Sequence, residues 1–226
     1  MTSPTKRILT VLTSHDRLGD TGRATGFYVS EAAHPWEVFR KAGFEVDLAS
    51  IAGGEPPQDG YDSGDPVQRE FLEVFGERLR TTPRLAEVDP AGYDAVFFAG
   101  GHGTMWDFPG DGDVTRVARA VYERGGVVAA VCHGPSALVD VTLSDGTHLV
   151  SGREVAAFTN AEEAAVGLTE AVPFLLADAL TARGARHSAG PEFAEHVVRD
   201  GRLVTGQNPA SAAATAEQVV AALTEM

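Results

Sequence analysis

The sequence predicts an α/β fold: a mostly parallel central sheet sandwiched by helices, with a nucleophile elbow at one strand end. Two observations carry that prediction. Short runs rich in β-branched and small apolar residues alternate along the chain with longer segments of helical period. This is the pattern of strand–helix–strand units whose sheet is covered on both faces. One such run, VVAAV, drives straight into Cys132-His133-Gly134-Pro135, after which the chain turns helix-like.

Strands are predicted over Arg7–Thr13, Glu45–Ser50, Ala95–Ala99, Val127–Val131 and Val155–Phe158. Helices are predicted over Ala33–Ala42, Val67–Leu79, Asp113–Arg124, Ser211–Leu223 and, in whole or part, Ala164–Arg183. Gly43 and Gly125 stand where helix C-terminal glycines belong. Ile51–Asp65, rich in Gly, Pro and Asp, reads as a lid or a solvent loop. Near the C-terminus, Asp200-Gly201 marks a hairpin turn, so the sheet should carry an antiparallel element at one side. Asn208-Pro209 then leads into the last helix. No repeat or low-complexity linker interrupts this rhythm. A chain of 226 residues with 43% hydrophobic content suits one large domain, taken as residues 1–226.

The formal net charge is −14. Such a surface repels phosphate backbones and anionic lipid, which argues against nucleic-acid and membrane-surface roles. A single cysteine cannot form an intramolecular disulfide, so nothing points to an oxidising compartment. The opening MTSPTKRILTVLTSHDR has basic residues before an apolar run. That run is short, contains threonines and ends in charge, so it reads as a first strand rather than a signal peptide. No apolar segment approaches bilayer-spanning length. A cytoplasmic protein is expected.

Parallel sheets of this kind act on ligands at the carboxyl ends of their strands, and Cys132 lies at such an end. Ala130 and Gly134, two residues to either side, leave room for a tight strand-to-helix elbow, the logic of G-x-S-x-G with Cys in place of Ser. A following helix N-terminus should lower the thiol pKa. The His133 amide then faces the place where an oxyanion would form. The alternative is that Cys132 is a small buried core residue. Its neighbours favour presentation. The strand Ala95–Ala99 ends in Gly100-Gly101-His102-Gly103, where backbone can approach a ligand and offer a second amide. Glu31 reads either as an ordinary first-turn acid or as a carboxylic acid reaching into the site, its pKa raised by Phe27, Tyr28 and Trp36.

TGFYVSEAAHPWEVFRKAGFEVDLAS, FFAGGHGTMWDFP, GGVVAAVCHGP, AFTNAEEAAVG and DGRLVTGQNPASA together resemble the ThiJ/PfpI superfamily. They are most similar to its heat-shock-protein-31-like branch, which includes glutathione-independent glyoxalases (glyoxalase III). The resemblance runs from the first strand to the last helix, and the fold it implies is flavodoxin-like, of the class I glutamine amidotransferase type. It implies Cys132 as the nucleophile, His133 as the triad histidine and Glu31 as the acid that hydrogen-bonds the sulfur. It implies Glu163 as the acid orienting the histidine, with its neighbour Glu162 as the alternative, and Gly101 and His133 as oxyanion-hole donors.

The implied activity is conversion of methylglyoxal or a related 2-oxoaldehyde to the 2-hydroxy acid, in a stress-related homodimer without a cofactor. A cysteine-dependent hydratase or amidase acting on an isonitrile or amide is one alternative, and a holding chaperone or redox sensor another. No His/acid cluster has convincing metal spacing, so no metal is expected. His15, His102, His148, His187 and His196 are read as surface or supporting residues. The downstream histidines, His187 and His196, have no glutamate two residues later, which disfavours glutamine hydrolysis.

Overall fold

A computed structural model describes residues 5–225. Its strands, in chain order, are β1 (Arg7–Leu12), β2 (Phe27–Tyr28), β3 (Glu45–Ser50), β4 (Gln58–Asp59), β5 (Ala95–Phe98), β6 (Val127–Val131), β7 (Glu154–Val155), β8 (Arg186–His187), β9 (Val197–Asp200) and β10 (Leu203–Gly206). The helices are α1 (Val29–Lys41), α2 (Pro66–Arg80), α3 (Thr104–Asp107), α4 (Gly112–Glu123), α5 (Asn160–Ala165), α6 (Leu176–Ala182) and α7 (Ala212–Thr224). Six strands form the central sheet in the order β3-β1-β5-β6-β10-β9. Every pairing is parallel except β10 with β9, the hairpin that turns at Asp200-Gly201.

The apolar runs of the central strands are buried on both faces because alternate residues feed two cores. Ile8, Leu12, Phe97, Val127, Ala129 and Val131 meet side chains of α1, α2 and α7, including Trp36, Phe39, Phe71, Phe75 and Val219. Leu9, Val11, Val96, Phe98, Val128 and Ala130 pack beneath α4 and α6 on the other face. β5 and β6 run in register, Phe98 beside Ala130, so their carboxyl ends emerge together. That adjacency sets Gly100-Gly101 next to Cys132.

Local sequence accounts for the helix starts. Asp65 caps α2 by accepting from the Val67 amide at 2.8 Å, with Pro66 at the first helical position, and Asp111 caps α4 in the same manner. α5 opens with a capping box: Thr159 Oγ1 accepts from the Glu162 amide at 3.0 Å and Glu162 Oε2 accepts from the Thr159 amide at 2.9 Å.

Three expectations need correction. The predicted strand Val155–Phe158 does not join the central sheet. Only Glu154–Val155 is extended into a pair, and its partner is β8. Phe158 instead donates its amide to the Cys132 carbonyl at 2.9 Å. The predicted helix within Ala164–Arg183 is two helices, because Gly167 turns left-handed after α5 and Pro173 cannot continue the ladder. α1 starts at Val29 rather than Ala33 and runs through Pro35, which places Glu31 in its first turn. The Ile51–Asp65 loop carries β4, which pairs with β2 beside the glycine loop.

A Cβ at Gly134 would collide with the Phe98 carbonyl oxygen, and its carbonyl carbon lies only 3.1 Å away. Gly134→Ala should therefore destabilise the protein by about 1–3 kcal/mol, read as a lower denaturant midpoint with an unchanged slope. An unchanged midpoint would contradict this packing.

Candidate active site

β6 ends at Val131, and Cys132 adopts φ +61, one of two left-handed non-glycine residues among those described. A cysteine in that conformation costs of order 1 kcal/mol and persists only where its surroundings over-determine it. Here both backbone groups are engaged: the Cys132 amide donates to the Gly206 carbonyl at 2.9 Å, and its carbonyl accepts from Phe158. A five-residue 3₁₀ helix, Gly134–Leu138, follows. Thr104 Oγ1 ties the glycine loop to the elbow by donating to the Gly101 carbonyl at 2.9 Å and the His133 carbonyl at 3.0 Å.

Gly100 and Gly101 are glycines for steric reasons. A Cβ on Gly100 would collide with Glu31 Oε2 and lie 3.0 Å from Cys132 Cβ. Gly101 has φ +107 and packs against Gly26 and Tyr28, and its amide donates to no acceptor among the described residues. Glu31 reaches this point from α1 and is completely buried. Neither carboxyl oxygen has a hydrogen-bond partner of ordinary geometry. Burial dominates its titration and pushes its pKa up to about 8, with Cys132 and the Gly100 amide pulling the other way. Glu31 therefore holds its proton at neutral pH.

His133 Nδ1 lies 3.3 Å from Cys132 Sγ, and its Nε2 lies 2.7 Å from Glu163 Oε2. The second carboxylate oxygen, Oε1, is 3.0 Å from His102 Nε2. The imidazoles lie with ring centroids 4.0 Å apart, and Phe158 covers His133 at 4.4 Å. Burial works against charge on Glu163, but the two imidazole donors outweigh it and hold its pKa near 2. A charged carboxylate only accepts, so both Nε2 atoms carry protons and His133 turns a bare Nδ1 toward the sulfur. Burial, reinforced by His102, lowers the His133 pKa to about 4 against the pull of Glu163. The imidazole is neutral at neutral pH.

Glu162 is engaged elsewhere. Besides the capping box, its Oε1 accepts from the Phe193 amide at 2.8 Å, Asn208 Nδ2 at 2.9 Å and Gln207 Nε2 at 3.1 Å. The capping box thus occupies Glu162, and Glu163 is the acid in contact with His133. Potential metal-ligand atoms of His102, His133 and Glu163 lie within 4.8 Å of one another, a cluster that motif spacing did not reveal. Each imidazole Nε2 is already donating to the carboxylate, so the three form a hydrogen-bonded unit rather than an open coordination site. No helix among the described residues is long and apolar enough to cross a membrane.

The DJ-1/PfpI family profile matches residues 23–222. The chain belongs to the DJ-1/PfpI family. Among its relatives, the glyoxalase 3 of Candida albicans is 36% identical over 234 residues, covering 96% of this chain and 98% of its own. A glutathione-independent glyoxalase of Saccharomyces cerevisiae is 35% identical over 238 residues, again covering 96% and 98%. The Rapid Encystment Protein 24 KDa of Francisella tularensis superposes with a TM-score of 0.94 at 37% identity, covering 97% of this chain and 99% of that one. The crystal structure of Candida albicans glyoxalase III gives 0.88 at 33%, covering 96% and 97%.

The DJ-1/PfpI elbow in this chain brings together Cys132, His133, Glu31, Glu163 and Gly101. It also adds His102, which sequence reasoning grouped with surface and supporting histidines. The signal available was its place directly after Gly101 in the glycine loop. One electrostatic expectation is overturned. The thiol is pushed up, not down, because burial dominates; the His133 amide opposes this only in part. The element after Cys132 is a short 3₁₀ turn and offers little dipole.

Glu31 makes stability pH-dependent with a defined sign. Its pKa rises from 4.5 unfolded to about 8 folded. Its contribution is full below 4.5 and declines at about 1.4 kcal/mol per pH unit until about 8. Glu31→Gln does not titrate, so its melting temperature relative to wild type should climb across that window and then level off. Thermal denaturation between pH 5 and 9 reads this; a constant difference would contradict a buried neutral acid.

Proposed function

We propose that this protein is a glutathione-independent glyoxalase that converts methylglyoxal or a related small 2-oxoaldehyde to the 2-hydroxy acid through Cys132. The observation that supports this most strongly is the chain of contacts from Cys132 Sγ through His133 to Glu163, with a neutral Glu31 also beside the sulfur. The named activity of relatives matched along nearly the whole chain supports the same reading.

Neutral His133 accepts the thiol proton at Nδ1 as Sγ adds to the aldehyde carbon. The oxyanion that forms is met by the amides of Gly101 and His133, and protonation gives a hemithioacetal. A proton then leaves the former aldehyde carbon and returns to the adjacent carbonyl carbon through an enediol. The first carbon is oxidised to a thioester while the second is reduced to an alcohol, so no external oxidant or reductant enters. Water cleaves the thioester and restores the thiol. Glu31 and His133 are the two groups beside the sulfur that can move these protons.

That balance needs no external redox cofactor. The expectations of a cytoplasmic location, a homodimer, a stress role and one domain over residues 1–226 rest on family resemblance, composition and length.

Cys132→Ser should lower glutathione-free turnover of methylglyoxal by at least a thousandfold, on the order of losing a catalytic nucleophile, while leaving the thermal midpoint near wild type. Turnover near wild type would overturn the nucleophile assignment. Turnover of isonitriles or amides in preference to 2-oxoaldehydes would replace the glyoxalase reading with the hydratase or amidase one.

The pH profile of kcat/KM should be a plateau with two limbs. Activity is lost as pH falls through about 4, where His133 gains a proton, and as pH rises through about 8, where Glu31 loses one. A profile still rising above pH 9 would contradict a requirement for protonated Glu31.

A further inference from the structure

We infer that His102 is a positioning residue for this reaction, holding the Glu163 carboxylate so that Oε2 alone serves His133 and the His133 Nδ1 lone pair stays aimed at the Cys132 sulfur. This rests on the glyoxalase reading for its kinetic consequence, but not for its chemical one.

Glu163 has two oxygens and, among the described side chains, two donors. Oε2 takes His133 Nε2–H at 2.7 Å and Oε1 takes His102 Nε2–H at 3.0 Å. The Glu163 side chain is 4% exposed, so water does not substitute freely for a missing donor. Without His102, Oε1 is a buried carboxylate oxygen with nothing to accept from. The carboxylate then gains by rotating or by taking up a proton, and either change loosens its hold on His133. A protonated Glu163 no longer dictates the tautomer. His133 can then carry its proton on Nδ1, where it cannot accept one from the thiol.

The placement of His102 follows from the glycine loop. Gly101 turns the chain with φ +107, and Thr104 fastens the loop to the elbow through the Gly101 and His133 carbonyls. His102 is carried between those fixed points and packs against His133, ring centroids 4.0 Å apart and planes tilted by 39°. Its side chain is 18% exposed, against 1% for His133, which makes it the outer member of the pair. The oxyanion donor Gly101 and the support for the base therefore sit on adjacent residues of one loop.

His102 has a second, electrical effect. The titratable groups around the pair are Cys132 at the elbow, Glu31 from α1, Tyr28 from β2, and Glu162 and Glu163 from α5. One charged carboxylate contacts both imidazoles, and His102 lowers the pKa of His133. Any non-titrating residue at 102 removes that influence. Only one able to donate where Nε2 did preserves the hydrogen bond.

His102→Gln and His102→Leu separate the two effects, because a glutamine amide can replace the Nε2–H donor and leucine cannot. With methylglyoxal, His102→Leu should lose about tenfold or more in kcat with little change in KM, while His102→Gln stays within about threefold of wild type. In both variants the acid limb of kcat/KM should move to higher pH. Cys132 alkylation by iodoacetamide should slow at neutral pH in His102→Leu and be restored in His102→Gln. Thermal midpoints confirm that each variant is folded.

A His102→Leu enzyme with kcat within twofold of wild type would overturn the inference, as would equal impairment of two folded variants. Wild-type protein inert toward 2-oxoaldehydes would defeat the glyoxalase reading instead. The alkylation comparison would still decide the role of His102.

Discussion

Everything at the site depends on the lack of space around Cys132. The strand ends and the next residue is left-handed. Carbonyl oxygens and a carboxyl oxygen then occupy the positions that any Cβ on Gly100 or Gly134 would need. The strained conformation is held by two backbone hydrogen bonds, one to β10 and one from Phe158. Those partners come from distant parts of the chain, so the elbow is a tertiary construction rather than a local turn. It brings the sulfur beside both Glu31 and His133.

That crowding also decides charge. Glu31 and Glu163 are the same residue type within one site, yet their environments drive them to opposite states. Glu31 is enclosed without a hydrogen-bond partner of ordinary geometry, and it keeps its proton to about pH 8. Glu163 is also buried but faces two imidazole donors, and it stays charged down to about pH 2. A protonated carboxyl thus lies beside the thiol, while the charged carboxylate lies one imidazole away and holds His133, so the two environments push two acids to opposite states. The sulfur itself is costly to ionise in this enclosure, and a neutral imidazole stands beside it, able to accept its proton.

Much of this is legible in residues alone. The strands Glu45–Ser50 and Val127–Val131 match their predicted bounds to the residue, the second because an apolar run buried on both faces has sharp ends. The hairpin at Asp200-Gly201 is legible through its turn chemistry. Val155–Phe158 misleads, because an apolar run of that length looks the same whether it joins a sheet or packs against an elbow. The four residues of TNAE contain a capping box that assigns Glu162 to the helix start. That local signal leaves Glu163 as the histidine's partner, so the choice between the two acids is written in the sequence itself. The raised thiol pKa is not legible, since it depends on enclosure by β5, β6 and α1 and on a 3₁₀ rather than an α turn. His102 is hidden for a similar reason: its partner lies 61 positions away.

The central claim is that the site runs on a neutral Glu31 held against the Cys132 sulfur. Isotope-edited infrared difference spectra between wild type and Glu31→Gln report that proton directly. A protonated carboxyl stretch is expected at pH 7, disappearing only as pH passes about 8. A carboxylate band already present at pH 6 would contradict it.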